Sequence, residues 1–187
     1  MLDISQLESK LQEIIERKYY ETKLGKDKNA KFAKIGDLEG NAVGQIGEEY
    51  AKFLVSQFTE IIDDGVIHDE YDIQTKKGIF FEVKTARKGN KNNTFQFNGI
   101  NPRYNYDYIL CLGICENSVH YRIFKGSDII YRHNPDRKYY VVESDFERQL
   151  VKMNPNNEVN FKLTLNLKNL YEISLLSEQL QKILKNV

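Results

Sequence analysis

The sequence predicts a mixed α/β (α+β) domain built on one sheet, on three observations. Apolar residues recur at helical spacing near both ends of the chain. Between them lie runs that alternate or stay apolar throughout, as strands do. The clearest, "YDYILCLGIC" at residues 106–115, is apolar nearly throughout, as a central strand covered on both faces would be. No internal repeat or obvious linker divides the 187 residues, a length that fits one domain.

Residues 4–20 read as a helix with Ile4, Leu7, Leu11, Ile14 and Ile15 on one side. The lysine-rich segment to about residue 38 reads as a connection with little core of its own. A second helix is expected from Asn41 to Phe58, its stripe being Val43, Ile46, Gly47, Tyr50, Leu54 and Phe58. Asp63-Asp64-Gly65 breaks the chain. A hairpin follows, "EYDIQT" and "IFFEVKTA" joined at Lys76-Lys77-Gly78, then strands "TFQFN", "YDYILCLGIC" and "SVHYRIFK". In the tail, "KYYVVE" and "NFKLTLNL" alternate like strands, "SDFERQLVKM" between them reads as helical, and a last helix covers Leu175 to Leu184. The chain therefore divides into an N-terminal helix and basic connection (1–38), a core (41–125) and a C-terminal extension (126–187) open to recognition, dimerisation or scaffold roles.

Composition narrows the class. Charged residues at 29% and aromatics at 12% describe a globular chain, not a disordered one. No apolar run approaches the length of a transmembrane helix, and "MLDISQLESKLQEI" lacks the features of a secretory signal. A cytoplasmic protein without a membrane partner is expected, with Cys111 and Cys115 as buried free thiols. His68, His120 and His133 are scattered without zinc spacing. "GDLEGNAVGQIG" lacks the ending of a phosphate-binding loop, and no serine sits in a nucleophile elbow. With 27 basic and 27 acidic residues there is no bulk signal for nucleic acid, so the distribution matters. Lys23, Lys26, Lys28, Lys31 and Lys34 form one basic stretch; Arg87, Lys88, Lys91 and Arg103 form another that contains no acid.

The hairpin carries the chemistry. A three-residue turn closing on a left-handed Gly78 pairs Thr75 with Ile79, Ile73 with Phe81 and Tyr71 with Val83 on one largely apolar face. The other face then pairs Gln74 with Phe80, Asp72 with Glu82 and Glu70 with Lys84. Directly paired Cβ atoms lie roughly 4.5–5.5 Å apart, so Asp72 and Glu82 can bind one ion. Such close carboxylates repel unless a cation separates them or one is protonated. Hard oxygen ligands suit Mg²⁺, with Mn²⁺ as a substitute. Lys84 projects to the same face, where it can orient or help deprotonate a nucleophilic water. Other Glu-x-Lys triplets, at Glu8, Glu16 and Glu21, fall in or beside the first helix, where residues two apart share no face.

"YDIQTKKGIFFEVKTA" resembles the core of the PD-(D/E)xK nuclease superfamily, in which a strand-borne Asp precedes Glu-x-Lys on the next strand. Tyr71 stands where the motif has its proline. The resemblance implies a restriction-endonuclease-like core, with a central mixed sheet flanked by helices. It also implies divalent-metal cleavage of DNA, with Asp72, Glu82 and Val83 as metal ligands and Lys84 as the catalytic lysine. "GQIGEEYAKFL" matches the Gly-Glu-x-x-Ala context of a further acidic ligand. Both Glu48 and Glu49 flank the apolar stripe, and the family pattern favours Glu48. Gln96 in "TFQF" matches a polar residue that several nuclease branches place near the scissile phosphate.

The substrate expected is double-stranded DNA, cut by a homodimeric, type II restriction-like enzyme with the amphipathic first helix as a dimer contact. Arg87, Lys88, Asn90, Lys91, Asn92 and Asn93 would run along the DNA, joined by Arg103, Lys31 and Lys34. Tyr104 and Tyr106 are further candidates, although packing explains them as well. The alternatives are a structure-specific Holliday-junction resolvase or repair nuclease, and a non-catalytic nucleic-acid-binding module of the same fold.

Overall fold

A computed structural model of the chain describes residues 3–22, 30–89, 93–156 and 158–185. Helices α1 (Ile4–Thr22) and α2 (Gly40–Ser56) come first, joined through a 3₁₀ turn at Ala33–Asp37. Strands β1 (Ile61–Ile62), β2 (Ile73–Thr75), β3 (Phe80–Arg87), β4 (Thr94–Ile100), β5 (Tyr108–Ile114) and β6 (Val119–Lys125) follow. The remainder is β7 (Ile129–Arg132), β8 (Lys138–Glu143), β9 (Phe146–Gln149), β10 (Val151–Lys152), β11 (Phe161–Asn166), β12 (Tyr171–Glu172) and helix α3 (Leu176–Lys185). No helix among the described residues is long and apolar enough to cross a membrane.

The α/β class holds, but the strands form three sheets where one was expected. The central mixed sheet runs β1-β2-β3-β5-β6-β12, with β3 and β5 parallel and its other neighbours antiparallel. β5 lies inside it, and Ile109 to Ile114 are buried as its apolar run requires. β4 leaves this sheet and joins β10 and β11 in a second, while β7, β8 and β9 form a third.

Side chains alternate across the central sheet, and each face has its own core. Phe81, Val83, Leu110, Leu112, Tyr121 and Ile123 face the three helices. Ala86, Ile109, Cys111 and Phe124 meet Phe95, Phe97, Leu163 and Leu165 of the second sheet. The helices therefore cover one face and strands cover the other.

Three local expectations are corrected. The connection before α2 does carry core, because Phe32, Ile35 and Leu38 are buried with the helices; Lys23, Lys26 and Lys28 lie outside the described residues. "SDFERQLVKM" is not helical. Phe146 and Leu150 imitate one helical turn, but β9 pairs with β8, β10 pairs with β11, and this pairing overrides the spacing. The apolar face of α1 is used within the chain, since Leu7, Leu11, Ile14 and Ile15 join the helix-side core with α2, and so is not free as a dimer contact.

Candidate active site

The β2–β3 hairpin has the predicted register. Ile73 pairs with Phe81 and Gln74 with Phe80, the Thr75 N–H donates to the Ile79 carbonyl at 3.0 Å, and Gly78 takes φ +75°. Beyond Ile73 the ladder stops. Tyr71 does not pair with Val83. Its ring lies 4.6 Å from those of Phe80 and His68, and its hydroxyl donates to Gln74. The Asp72 carboxylate instead accepts the Val83 N–H at 2.7 Å, the bond a continuing strand would have given the Tyr71 carbonyl. The expected Glu70–Lys84 pair is absent as well. Glu70 is exposed, and Lys84 forms its ion pair with Glu82.

Asp72 and Glu82 do meet. Burial raises both carboxyl groups above the usual carboxylate range, and each feels the other. Glu82, 5% exposed, is pushed up to about 7 by burial first and by Asp72 second, with Lys84 opposing. The two carboxyl groups interact closely enough that ionising either one opposes ionisation of the other. Cys111, opposite Lys84 in the β3–β5 register, is buried and its thiol is pushed up to about 12, so it is inert as a nucleophile.

Because β2 ends early, the outer edge of β3 is left open along much of its length. A cleft of about 870 Å³ follows that edge, with α2 on one side and β4 on the other. Asp72, Lys84, Glu48 and Gln96 all line it. Glu48 is held by Lys52 one turn along at 2.7 Å and contributes to raising Asp72. Glu49 points the other way, into an ion pair with Arg17 of α1. The geometry thus separates two glutamates that periodicity left equivalent. A Cβ built on Gly99 of β4 would lie 3.9 Å from Lys84 Nζ, so the ammonium sits against that wall.

The expected DNA contacts are only partly gathered here. Lys88 lines the cleft, and Asn93 is exposed beside its Thr94 wall. Arg87 also borders it, but its Nη1 donates to the carbonyls of Ile35, Gly36 and Leu38 at 3.2, 2.7 and 2.6 Å, clamping the turn before α2. Lys31 and Lys34 pair with Glu8 and Glu16 of α1 and do not line the cleft. Arg103 pairs with Glu158 at 2.7 Å and does not line the cleft. Asn90, Lys91 and Asn92 lie outside the described residues. Tyr106 is a packing residue, its hydroxyl donating to the Asn101 carbonyl, and Tyr104 packs against the second core.

Asn41, Gln45, Asn98 and Asn160 line the cleft without having been singled out. Asn41 and Gln45 share a helical face with Glu48, and Asn98 shares a strand face with Gln96, so both periodicities held the signal. Asn160 comes from a distant strand end and left none.

Among the described residues, no three acidic, histidine or cysteine side chains form a ready-made ligand group. The donors present nevertheless fit a hard dication. Asp72 and Glu82 offer oxygen, Val83 can add only its main-chain carbonyl, and Glu48 lines the same cleft. The raised carboxyl groups are the observation that supports the fit, since a dication would relieve the repulsion that keeps a proton there. No family model matches the chain, and no curated protein matches it significantly in sequence.

Proposed function

We propose that the protein is a metal-dependent endonuclease of the PD-(D/E)xK type, hydrolysing phosphodiester bonds of double-stranded DNA in a sequence-specific, restriction-like manner. One observation carries this reading: a buried Asp72–Glu82 pair beside Lys84 on β3, with Asp72 and Lys84 lining a cleft of about 870 Å³. Mg²⁺, with Mn²⁺ as a substitute, would be held by Asp72 and Glu82 with the Val83 carbonyl and Glu48. It would neutralise phosphate charge and acidify water.

The chain's own groups account for the rest. Asp72 is oriented by the Val83 amide and Glu82 by Lys84. Lys84 Nζ would neutralise the non-bridging phosphate oxygens and orient the attacking water. Gln96 and Lys88 would hold the strand alongside. Hydrolysis adds water across one P–O bond and leaves a phosphomonoester and a hydroxyl. A homodimer would bring one such cleft to each strand of a palindrome. The buried free thiols Cys111 and Cys115 suit the cytoplasm.

The test is incubation with long duplex DNA in Mg²⁺ and in EDTA, beside the Lys84→Ala variant. Discrete fragments lost with EDTA and in the variant support the reading. Cutting that survives Lys84→Ala unchanged refutes the site.

A further inference from the structure

Resting on the nuclease reading above, we propose that a second cavity, between the second and third sheets, takes an unpaired base of the strand held in the catalytic cleft. This cavity measures about 400 Å³ and is walled by Tyr131, Tyr139 and Phe161, with Gln149, Arg137 and Lys152 among its polar residues. Strand pairing sets two of its rings opposite each other. Tyr131 on β7 lies directly opposite Tyr139 on β8 with ring centroids 4.9 Å apart, and Tyr139 stands edge-on to Phe161 at 5.2 Å. Phe161 is buried beneath, whereas Tyr131 remains 40% exposed. An aromatic wall of this kind stacks nucleobases with little regard to sequence.

The two cavities share a wall. Lys152 lines the second and its neighbour Met153 the first; Phe161 lines the second and its neighbour Asn160 the first. The Met153 N–H donates to the Asn160 carbonyl at 3.0 Å and closes the ridge between them. A strand leaving the catalytic cleft across that ridge delivers its next base to the aromatic wall. Paired bases are locked inside the duplex, so the base received is one already out of the stack or turned out of it.

The charge around the cavity suits the backbone of such a nucleotide. The two acids present are already engaged, Glu158 by Arg103 and by Lys152 at 3.0 Å, and Asp136 by the Tyr140 hydroxyl. Arg137, at the turn between β7 and β8 with φ at +50°, is exposed and lines the cavity. Gln149 supplies an amide able to both donate to and accept from a base edge.

The test uses a labelled duplex carrying one bulged nucleotide, and the same duplex with that nucleotide abasic. Both are titrated in the Lys84→Ala background, which keeps the strands intact. Base–aromatic stacking predicts about a tenfold preference for the bulge that carries its base. Tyr131→Ala should remove the preference, Tyr131→Phe should keep it, and neither should change the melting temperature appreciably. Equal binding of the two bulges, or a preference untouched by Tyr131→Ala, overturns the base pocket and leaves the nuclease reading standing. Failure to bind any duplex, bulged or perfect, overturns both.

Discussion

Asp72 Oδ2 accepts the main-chain N–H of Val83 at 2.7 Å, across the point where the β2–β3 ladder ends. One carboxylate thus terminates a strand pair, opens the β3 edge and stands beside Glu82. Its structural and chemical roles are separable. Asp72→Asn keeps an acceptor for the Val83 amide but removes the charge. It should melt near the parent while losing at least about a hundredfold in DNA cleavage. Asp72→Ala should lose the same activity and also about 1–2 kcal/mol in urea unfolding, because a strand amide goes unpaired. Equal stability of the two variants would remove the structural role.

The acid pair also sets a pH dependence. The Glu82 carboxyl rises from 4.5 to about 7 on folding, so the folded chain holds a proton that the unfolded chain releases. This contribution is fully present below about pH 4.5 and is lost as pH rises through about 7. The metal-free protein should therefore lose on the order of 3 kcal/mol across that window, and Glu82→Gln should flatten the profile. Mg²⁺ should raise the melting temperature mainly above pH 7, where the pair is ionised. A flat profile in the parent protein would contradict the buried pair.

The hairpin was the legible part of the chain because its signals are local. Gly78 fixed the turn, alternation fixed the register, and Asp72 and Glu82 followed. What sequence could not show was where the ladder would stop, since Tyr71 turns to stack on Phe80 and His68 rather than continue the strand. The basic residues misled for a related reason. Charge is visible in sequence but its partner is not. Lys31 and Lys34 were claimed by acids on α1, and Arg87 by three carbonyls before α2. In the C-terminal region the alternation of β8 and β11 is legible, whereas "SDFERQLVKM" hides two short strands, β9 and β10, behind the four-residue spacing of Phe146 and Leu150.

Glu48 and Glu49 give a paired test on α2. Glu48 faces the cleft and acts on Asp72, so Glu48→Gln should reduce cleavage about tenfold or more with little change in melting temperature. Glu49 pairs with Arg17 at a half-exposed position. Glu49→Gln should cost about 0–1 kcal/mol, as exposed ion pairs do, and leave cleavage unchanged. The reverse pattern in a cleavage assay would assign the site to the other face of the helix.

Two glycines of α2 are set apart by what lies above them. A Cβ at Gly47 would fall 1.6 Å from Thr85 Oγ1 and 2.5 Å from Thr85 Cβ, so the helix rests directly on β3 there. Gly47→Ala must push α2 off the strand and should destabilise by about 1–3 kcal/mol, the usual cost of overpacking. Since Glu48 follows directly, cleavage should fall with it. At Gly44 a Cβ would meet nothing within 4 Å. Gly44→Ala should therefore stabilise the helix by about 0.5–1 kcal/mol. Urea unfolding of the two variants should move the midpoint in opposite directions, and a Gly47→Ala protein as stable as the parent would show that the helix does not lie on Thr85.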